Sequence, residues 1–223
     1  MPAQAHRTLM LSGPAGRIEA ILWSISEDGA AAPPPLVAVV CHPHPLFGGT
    51  MHNKVVYRIA RGLRRTGHAV LRFNYRGVNL SEGSYAKGEG ELEDARAALE
   101  YLRSRYPALP YALAGFSFGS RIVLRLGCGE QDTLRLIDKP IDQPSRIVAV
   151  GFPTEYRDRS GLEGCTIPRV FIQSTNDQYG AVQDLRATVD ALPEPKQLIL
   201  VEAQDHFFAG ALERLEEAIA GLA

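Results

Sequence analysis

The sequence predicts an α/β fold, a mostly parallel sheet covered by helices on both faces. Three observations carry that reading. Short apolar, β-rich runs alternate with amphipathic segments along most of the chain, the rhythm of strand, crossover helix and next parallel strand. The central runs, such as Leu36-Val37-Ala38-Val39-Val40, are continuously apolar, as strands buried on both faces are. Finally, 223 residues with 45% hydrophobic content suffice for one core, so residues 1–223 read as a single domain.

Taken in order, Thr8 to Leu11 and Arg17 to Trp23 form an expected opening hairpin, joined through the turn formers Ser12-Gly13-Pro14-Ala15-Gly16. Ala30 to Pro35 reads as a surface loop. Leu36 to Val40 is the first central strand, and Lys54 to Arg65 is the helix after it. Strands at Ala69 to Phe73, Tyr111 to Ala114, Ile147 to Val150, Arg169 to Gln173 and Gln197 to Val201 follow. Helices at Glu89 to Arg105, Arg121 to Leu126, Val182 to Leu192 and Ala211 to Leu222 accompany them.

Composition narrows the function classes. Lys and Arg number 24 against 25 Asp and Glu, with no basic cluster, so neither nucleic acid nor an anionic membrane is suggested as a partner. A small molecule is expected instead, with the protein a monomer or homodimer. Met1 to Arg7 lacks the basic start and apolar core of a signal peptide, and no apolar run approaches the ~18–20 residues of a membrane span. Cys41, Cys128 and Cys165 are odd in number and widely spaced, which fits neither a disulfide framework nor a zinc site. A reducing, cytoplasmic location is the expectation.

The chemistry is concentrated where strands end, the usual place for ligands in open parallel sheets. Tyr111-Ala112-Leu113-Ala114 runs through Gly115-Phe116-Ser117-Phe118-Gly119 directly into a helical pattern. A Gly-x-Ser-x-Gly between strand and helix is a nucleophile elbow, whose strained turn lifts the serine hydroxyl above the sheet edge. The hydroxyl needs a base to remove its proton and a carboxylate to orient that base. His206 follows the last strand and precedes the last helix, and Asp177 follows the strand before it. Asp205 is a rival acid, but its adjacency to His206 makes the required hydrogen bond awkward. Ser117, Asp177 and His206 are therefore the expected catalytic residues.

A tetrahedral intermediate requires N–H donors for its oxyanion. The backbone N–H of Phe118 is one. The other should come from Cys41-His42-Pro43-His44-Pro45-Leu46, where prolines lack donors and leave His44 and Leu46; His44 is favoured. The imidazoles of His42 and His44 then read as scaffolding or pocket lining, a zinc pair lacking a third ligand. Cys41 reads as a buried thiol rather than a nucleophile. Leu46, Phe47, Phe116, Phe118, Tyr179, Phe207 and Phe208 are candidates for the substrate pocket, with core packing the competing role for about half of them.

The combination of His42-Pro43-His44-Pro45, Gly48-Gly49-Thr50-Met51-His52-Asn53-Lys54, Arg72-Phe73-Asn74-Tyr75-Arg76-Gly77, Ser81-Glu82-Gly83-Ser84, the serine elbow and Asp205-His206-Phe207-Phe208 resembles a known group. It is similar to the small bacterial α/β-hydrolases grouped with dienelactone-hydrolase-like and prolyl-oligopeptidase-like proteins. The resemblance implies an eight-stranded α/β-hydrolase sheet, a serine triad and esterase activity, with no cofactor and no metal. Two departures stand out: Ser174 replaces a common glycine before the acid loop, and Ser117 replaces the elbow cysteine of dienelactone hydrolases proper. An aspartate nucleophile of the dehalogenase kind is also missing.

Only Pro153 to Pro168 separates Gly151-Phe152 from the strand beginning at Arg169, too little for a large lid, although Gly127 to Ser145 could fold over the site as a flap. The expectation is a serine carboxylesterase that cleaves short-chain or aryl esters through an acyl-enzyme. Peptidase or thioesterase activity with the same triad, and a non-catalytic ligand- or protein-binding scaffold, are the alternatives.

Overall fold

In the computed structural model, residues 6–24, 35–129, 143–156 and 161–222 are described. Eight strands, β1 (His6–Gly13), β2 (Gly16–Trp23), β3 (Leu36–Cys41), β4 (His68–Phe73), β5 (Tyr111–Phe116), β6 (Arg146–Val150), β7 (Arg169–Ser174) and β8 (Lys196–Val201), form one sheet. Their order is β1-β2-β4-β3-β5-β6-β7-β8. The β1–β2 and β2–β4 pairs are antiparallel and every other pair is parallel.

Among the described residues, five α-helices cover the sheet: α1 (Lys54–Arg65), α2 (Glu89–Arg105), α3 (Phe118–Cys128), α4 (Val182–Ala191) and α5 (Leu212–Ala220). The pleat sorts the strand residues between two cores. Ala38, Val40, Ala114, Phe116, Val150 and Ile172 pack with Val55, Ile59 and Leu63 of α1 and Leu215 and Ile219 of α5. Val37, Val39, Leu113, Ile147 and Phe171 pack on the other face with Leu99 of α2, Ile122 of α3 and Leu185 and Val189 of α4. Truncating a fully buried member such as Ile59 or Leu113 to alanine costs about 2–5 kcal/mol.

Two expectations are corrected here. Helix α3 begins at Phe118, three residues before Arg121, because the chain turns into the helix directly from the elbow. Cys128 at the end of α3 and Cys165 before β7 form a disulfide across 37 residues, contrary to the reading of three unpaired cysteines. Pairing of two sequence-distant segments around β6 is invisible to spacing arguments. The inference of a reducing compartment loses that support. The flap expected at Gly127 to Ser145 falls mainly on residues 130–142, outside the described ones, and Gly127 and Cys128 belong to α3. Among the described residues, no helix is long and apolar enough to cross a membrane.

Candidate active site

Ser117 occupies the step between β5 and α3 with φ 55° and ψ −120°. A non-glycine residue in this region is strained, and its neighbours hold it there. Its N–H donates to Val150 O at 2.8 Å, and the Ser120 hydroxyl donates to its carbonyl at 2.6 Å. The flanking glycines are required by close passage: a Cβ on Gly115 would run into the Gly119 carbonyl, and one on Gly119 into the Cys41 carbonyl. The turn places Ser117 ahead of the positive end of α3, where Phe118 supplies the first of the helix's free N–H groups.

The loops after β7 and β8 bring Asp177 and His206 together. His206 Nδ1 lies 2.7 Å from Asp177 Oδ2, with both side chains buried. Asp177 Oδ1 accepts the N–H groups of Tyr179 and Gly180 at 2.9 and 3.0 Å, and Gln173 Nε2 donates to Oδ2 at 2.9 Å. Four donors thus compensate a buried carboxylate. With Nδ1–H donated to the carboxylate, the neutral His206 ring keeps its lone pair on Nε2. The Gln178 side chain accepts the His206 N–H at 3.0 Å and links the two loops.

Asp205 does not compete for the imidazole. Its Oδ1 accepts the N–H groups of Phe207 and Ala209, both at 2.9 Å, and shapes the turn that presents His206. The Ser117 hydroxyl makes no hydrogen bond with His206 in this structure. Both residues line one cavity of about 310 Å³.

The loop after β3 closes the other side of the site. His42 is fully buried, donating from Nδ1 to Pro43 O at 2.7 Å while Nε2 accepts the Tyr75 N–H at 3.1 Å. Burial lowers its pKa to about 3, so the ring is neutral. His44 Nδ1 accepts the Leu46 N–H at 3.2 Å, and its other nitrogen lies 3.1 Å from the Tyr85 hydroxyl; burial lowers its pKa also. Each neutral ring has one lone pair, and each lone pair already accepts a backbone N–H. A zinc pair is therefore incompatible with this arrangement. Among the described residues no group of three His, Cys, Asp or Glu side chains could hold a metal.

Of the two N–H groups weighed for the oxyanion, that of Leu46 is turned into its own loop, where it donates to His44 Nδ1. Cys41 is buried and its thiol is pushed up to about 12 by burial, which removes it as a nucleophile.

Phe47, Phe118, Tyr179 and Phe207 line the cavity, together with Pro43, Asn53, Pro153, Glu155 and Tyr156. Leu46 and Phe116 do not. Leu46 is 65% exposed on the short 3₁₀ turn Pro45–Phe47, outside the cavity. Phe116 is the inward-facing end of β5, fully buried with its ring 4.9 Å from the His206 imidazole, and Phe208 is likewise core. Phe116 supports the base from beneath rather than meeting substrate. Tyr156 and Gln173 escaped the sequence reading; a glutamine ending an otherwise apolar strand was the available signal for the second.

Residues 39–135 match the family model described as alpha/beta hydrolase fold. The chain is 34% identical over 220 residues to the uncharacterized protein RP471 of Rickettsia prowazekii, covering 95% of this chain and 86% of that protein. It superposes on an alpha-beta serine hydrolase homologue from Coxiella burnetii with a TM-score of 0.86 at 29% identity, covering 100% of both chains. XC6422 from Xanthomonas campestris, an a/b serine hydrolase without a lid, gives 0.81 at 32% identity over 99% of this chain and 94% of that one. Identity over nearly the full length, together with the sheet topology and the serine-bearing turn after β5, shows that the chain belongs to the α/β-hydrolase family.

Proposed function

We propose that this hydrolase cleaves carboxylic esters, short-chain or aryl, as a serine carboxylesterase. The observation that carries the reading is the 2.7 Å Asp177–His206 contact at the rim of the cavity that also exposes the strained Ser117. In the reaction, Ser117 Oγ attacks the ester carbonyl while His206 Nε2 takes the hydroxyl proton, and the carbonyl electrons move onto oxygen. The N–H groups of Phe118 and His44 receive that oxyanion. Collapse expels the alcohol, which takes the proton from His206, and leaves an acyl-enzyme; water activated by the same imidazole then releases the acid. Asp177 holds the tautomer and stabilises the imidazolium. The Ser117–His206 hydrogen bond belongs to the reactive complex, where such contacts tighten.

The lining favours compact or flat acyl groups. Phe47, Tyr156, Tyr179 and Phe207 surround about 310 Å³, a volume at the lower end for ligand pockets. The test is hydrolysis of p-nitrophenyl acetate, butyrate and benzoate by wild type and Ser117→Ala, with fluorophosphonate labelling. Hydrolysis and labelling that vanish in Ser117→Ala are expected. A wild type that neither turns over esters nor takes the label would favour a binding scaffold, and faster cleavage of peptides or thioesters would reassign the substrate class.

A further inference from the structure

Gln173 is the penultimate residue of β7 and is fully buried, yet every polar atom of its side chain is engaged. Oε1 accepts the Phe152 N–H at 3.0 Å. Nε2 donates to Gly180 O at 2.8 Å and lies 3.4 Å from Phe152 O. It also donates to Asp177 Oδ2 at 2.9 Å, the same oxygen that receives His206 Nδ1–H. The orientation of the amide is unambiguous. A flip would set Oε1 against the carboxylate and the Gly180 carbonyl, and would leave the Phe152 N–H facing an NH₂ group.

A merely structural role would need only the bonds to Phe152 and Gly180, which join the segment after β6 to the acid loop. The bond to Oδ2 does more. Two donors share one oxygen lone-pair edge, so the amide fixes the rotation of the carboxylate and takes part of its negative charge away from the imidazole. We infer that Gln173 is a positioning residue for the Asp177–His206 pair, setting the direction of the carboxylate and the strength with which it holds the imidazolium. This rests on the hydrolytic reading above.

The surroundings leave the effect to this residue. The side chains packed on the pair are the rings of Phe116, Phe207 and Tyr179, at 4.9, 5.3 and 4.9 Å from the imidazole. The titratable groups facing it are the Tyr179 phenol and, around the cavity, His44, Tyr156 and Glu155, with Asp205 in the same loop. None of these side chains hydrogen-bonds to Asp177 or His206 among the described residues, and no Lys or Arg does.

Two near-isosteric variants separate orientation from folding. Gln173→Met removes both donors; kcat should fall roughly 10–100-fold, as when outer partners of other oriented histidines are lost, with KM within about twofold. Its rate profile should rise at higher pH than the wild type's, because the unshared carboxylate holds the imidazolium more tightly. Gln173→Glu keeps a donor only while protonated. In that form the carboxyl donates to Asp177 Oδ2 and accepts from Phe152 N–H, and ionisation sets two carboxylates face to face. Its profile should therefore acquire a falling limb toward alkaline pH that neither wild type nor Gln173→Met shows.

The proton in the His206–Asp177 hydrogen bond provides a readout independent of turnover, its downfield NMR resonance moving in both variants. Wild-type kcat, profile and resonance in folded Gln173→Met would overturn the assignment. So would activity that merely tracks the folded fraction, followed by circular dichroism, in both variants at every pH. Wild type that neither hydrolyses esters nor takes a fluorophosphonate would remove the hydrolytic reading instead, while the resonance would still report whether Gln173 shapes the pair.

Discussion

The loop after β7 and the loop after β3 flank Ser117 from opposite sides of β5, and they are built in opposite ways. Asp177 is buried, with both carboxylate oxygens doubly satisfied by donors from two loops and one strand. The β3 loop instead bonds chiefly to itself and its immediate neighbour, through two neutral imidazoles, and presents Leu46 and Phe47 to solvent. The difference matches what each side would do in the proposed acyl transfer. A charge that orients a base needs a fixed, dry surround, since a misdirected carboxylate loses its effect within a fraction of an ångström. On the proposed mechanism, donors for a transient oxyanion are backbone groups, one of them on the β3 loop, and that loop would also border the entry of substrate.

Breaking the buried side should have the largest effect. Asp177→Asn retains an acceptor for Tyr179 and Gly180 but turns an amide toward His206, favouring the tautomer with its proton on Nε2. Loss of roughly 10⁴-fold in kcat is expected, measured on p-nitrophenyl acetate with the fold verified by circular dichroism. On the other side, His44→Pro deletes the proposed second oxyanion donor and should lower turnover about 10²–10³-fold. His44→Ala keeps that N–H and loses only the ring's bonds to Leu46 and Tyr85, so its deficit should be smaller, about 10-fold. Equal losses in the two variants would mean that the imidazole, not the backbone, carries the loop's contribution.

The same asymmetry governed how much could be read in advance. Among the described residues, periodicity located the eight strands and five α-helices, because burial on two faces imposes an unmistakable apolar run at Leu36 to Val40 and its central counterparts. That Ser117, Asp177 and His206 gather at one edge of the sheet was legible because each sits a few residues past such a run. Side-chain direction was less accessible: Phe116 belongs with Ala112 and Ala114 on the α1–α5 face, which strict alternation along β5 would have indicated. Leu46 lay beyond any periodic rule, since a 3₁₀ turn decides its direction. The Cys128–Cys165 pairing and the Gln173–Asp177 bond depend on how segments meet after folding, which local pattern does not encode.

His42 offers a way to sharpen the comparison through stability instead of rate. Burial holds its pKa at about 3 in the folded protein, against an ordinary 6.5. The stability linked to the neutral ring is thus complete above about pH 6.5 and is lost as pH falls toward 3, at up to about 1.4 kcal/mol per pH unit. His42→Gln should be less stable at pH 7 by about 1–3 kcal/mol, because the Tyr75 N–H or the Pro43 carbonyl loses its partner. Its stability should also fall less steeply between pH 6.5 and 4, so the two curves converge. Urea unfolding at several pH values measures this; parallel curves would show that His42 does not titrate on unfolding.

The smallest effect is expected at the most exposed point of the site. Phe47 is 86% exposed, yet it lines the cavity and its ring lies 4.7 Å from that of His44. A ring so placed can contribute contact area to a bound aryl group but cannot reach the reacting atoms' charge. Phe47→Ala should therefore raise KM for p-nitrophenyl benzoate about 5-fold, the worth of one partly wet aromatic contact, and leave kcat unchanged. With p-nitrophenyl acetate the change should be smaller, since less of the substrate extends over the ring. A fall in kcat would mean that Phe47 also steadies the backbone of His44, in which case the open side of the site is more constrained than its exposure suggests.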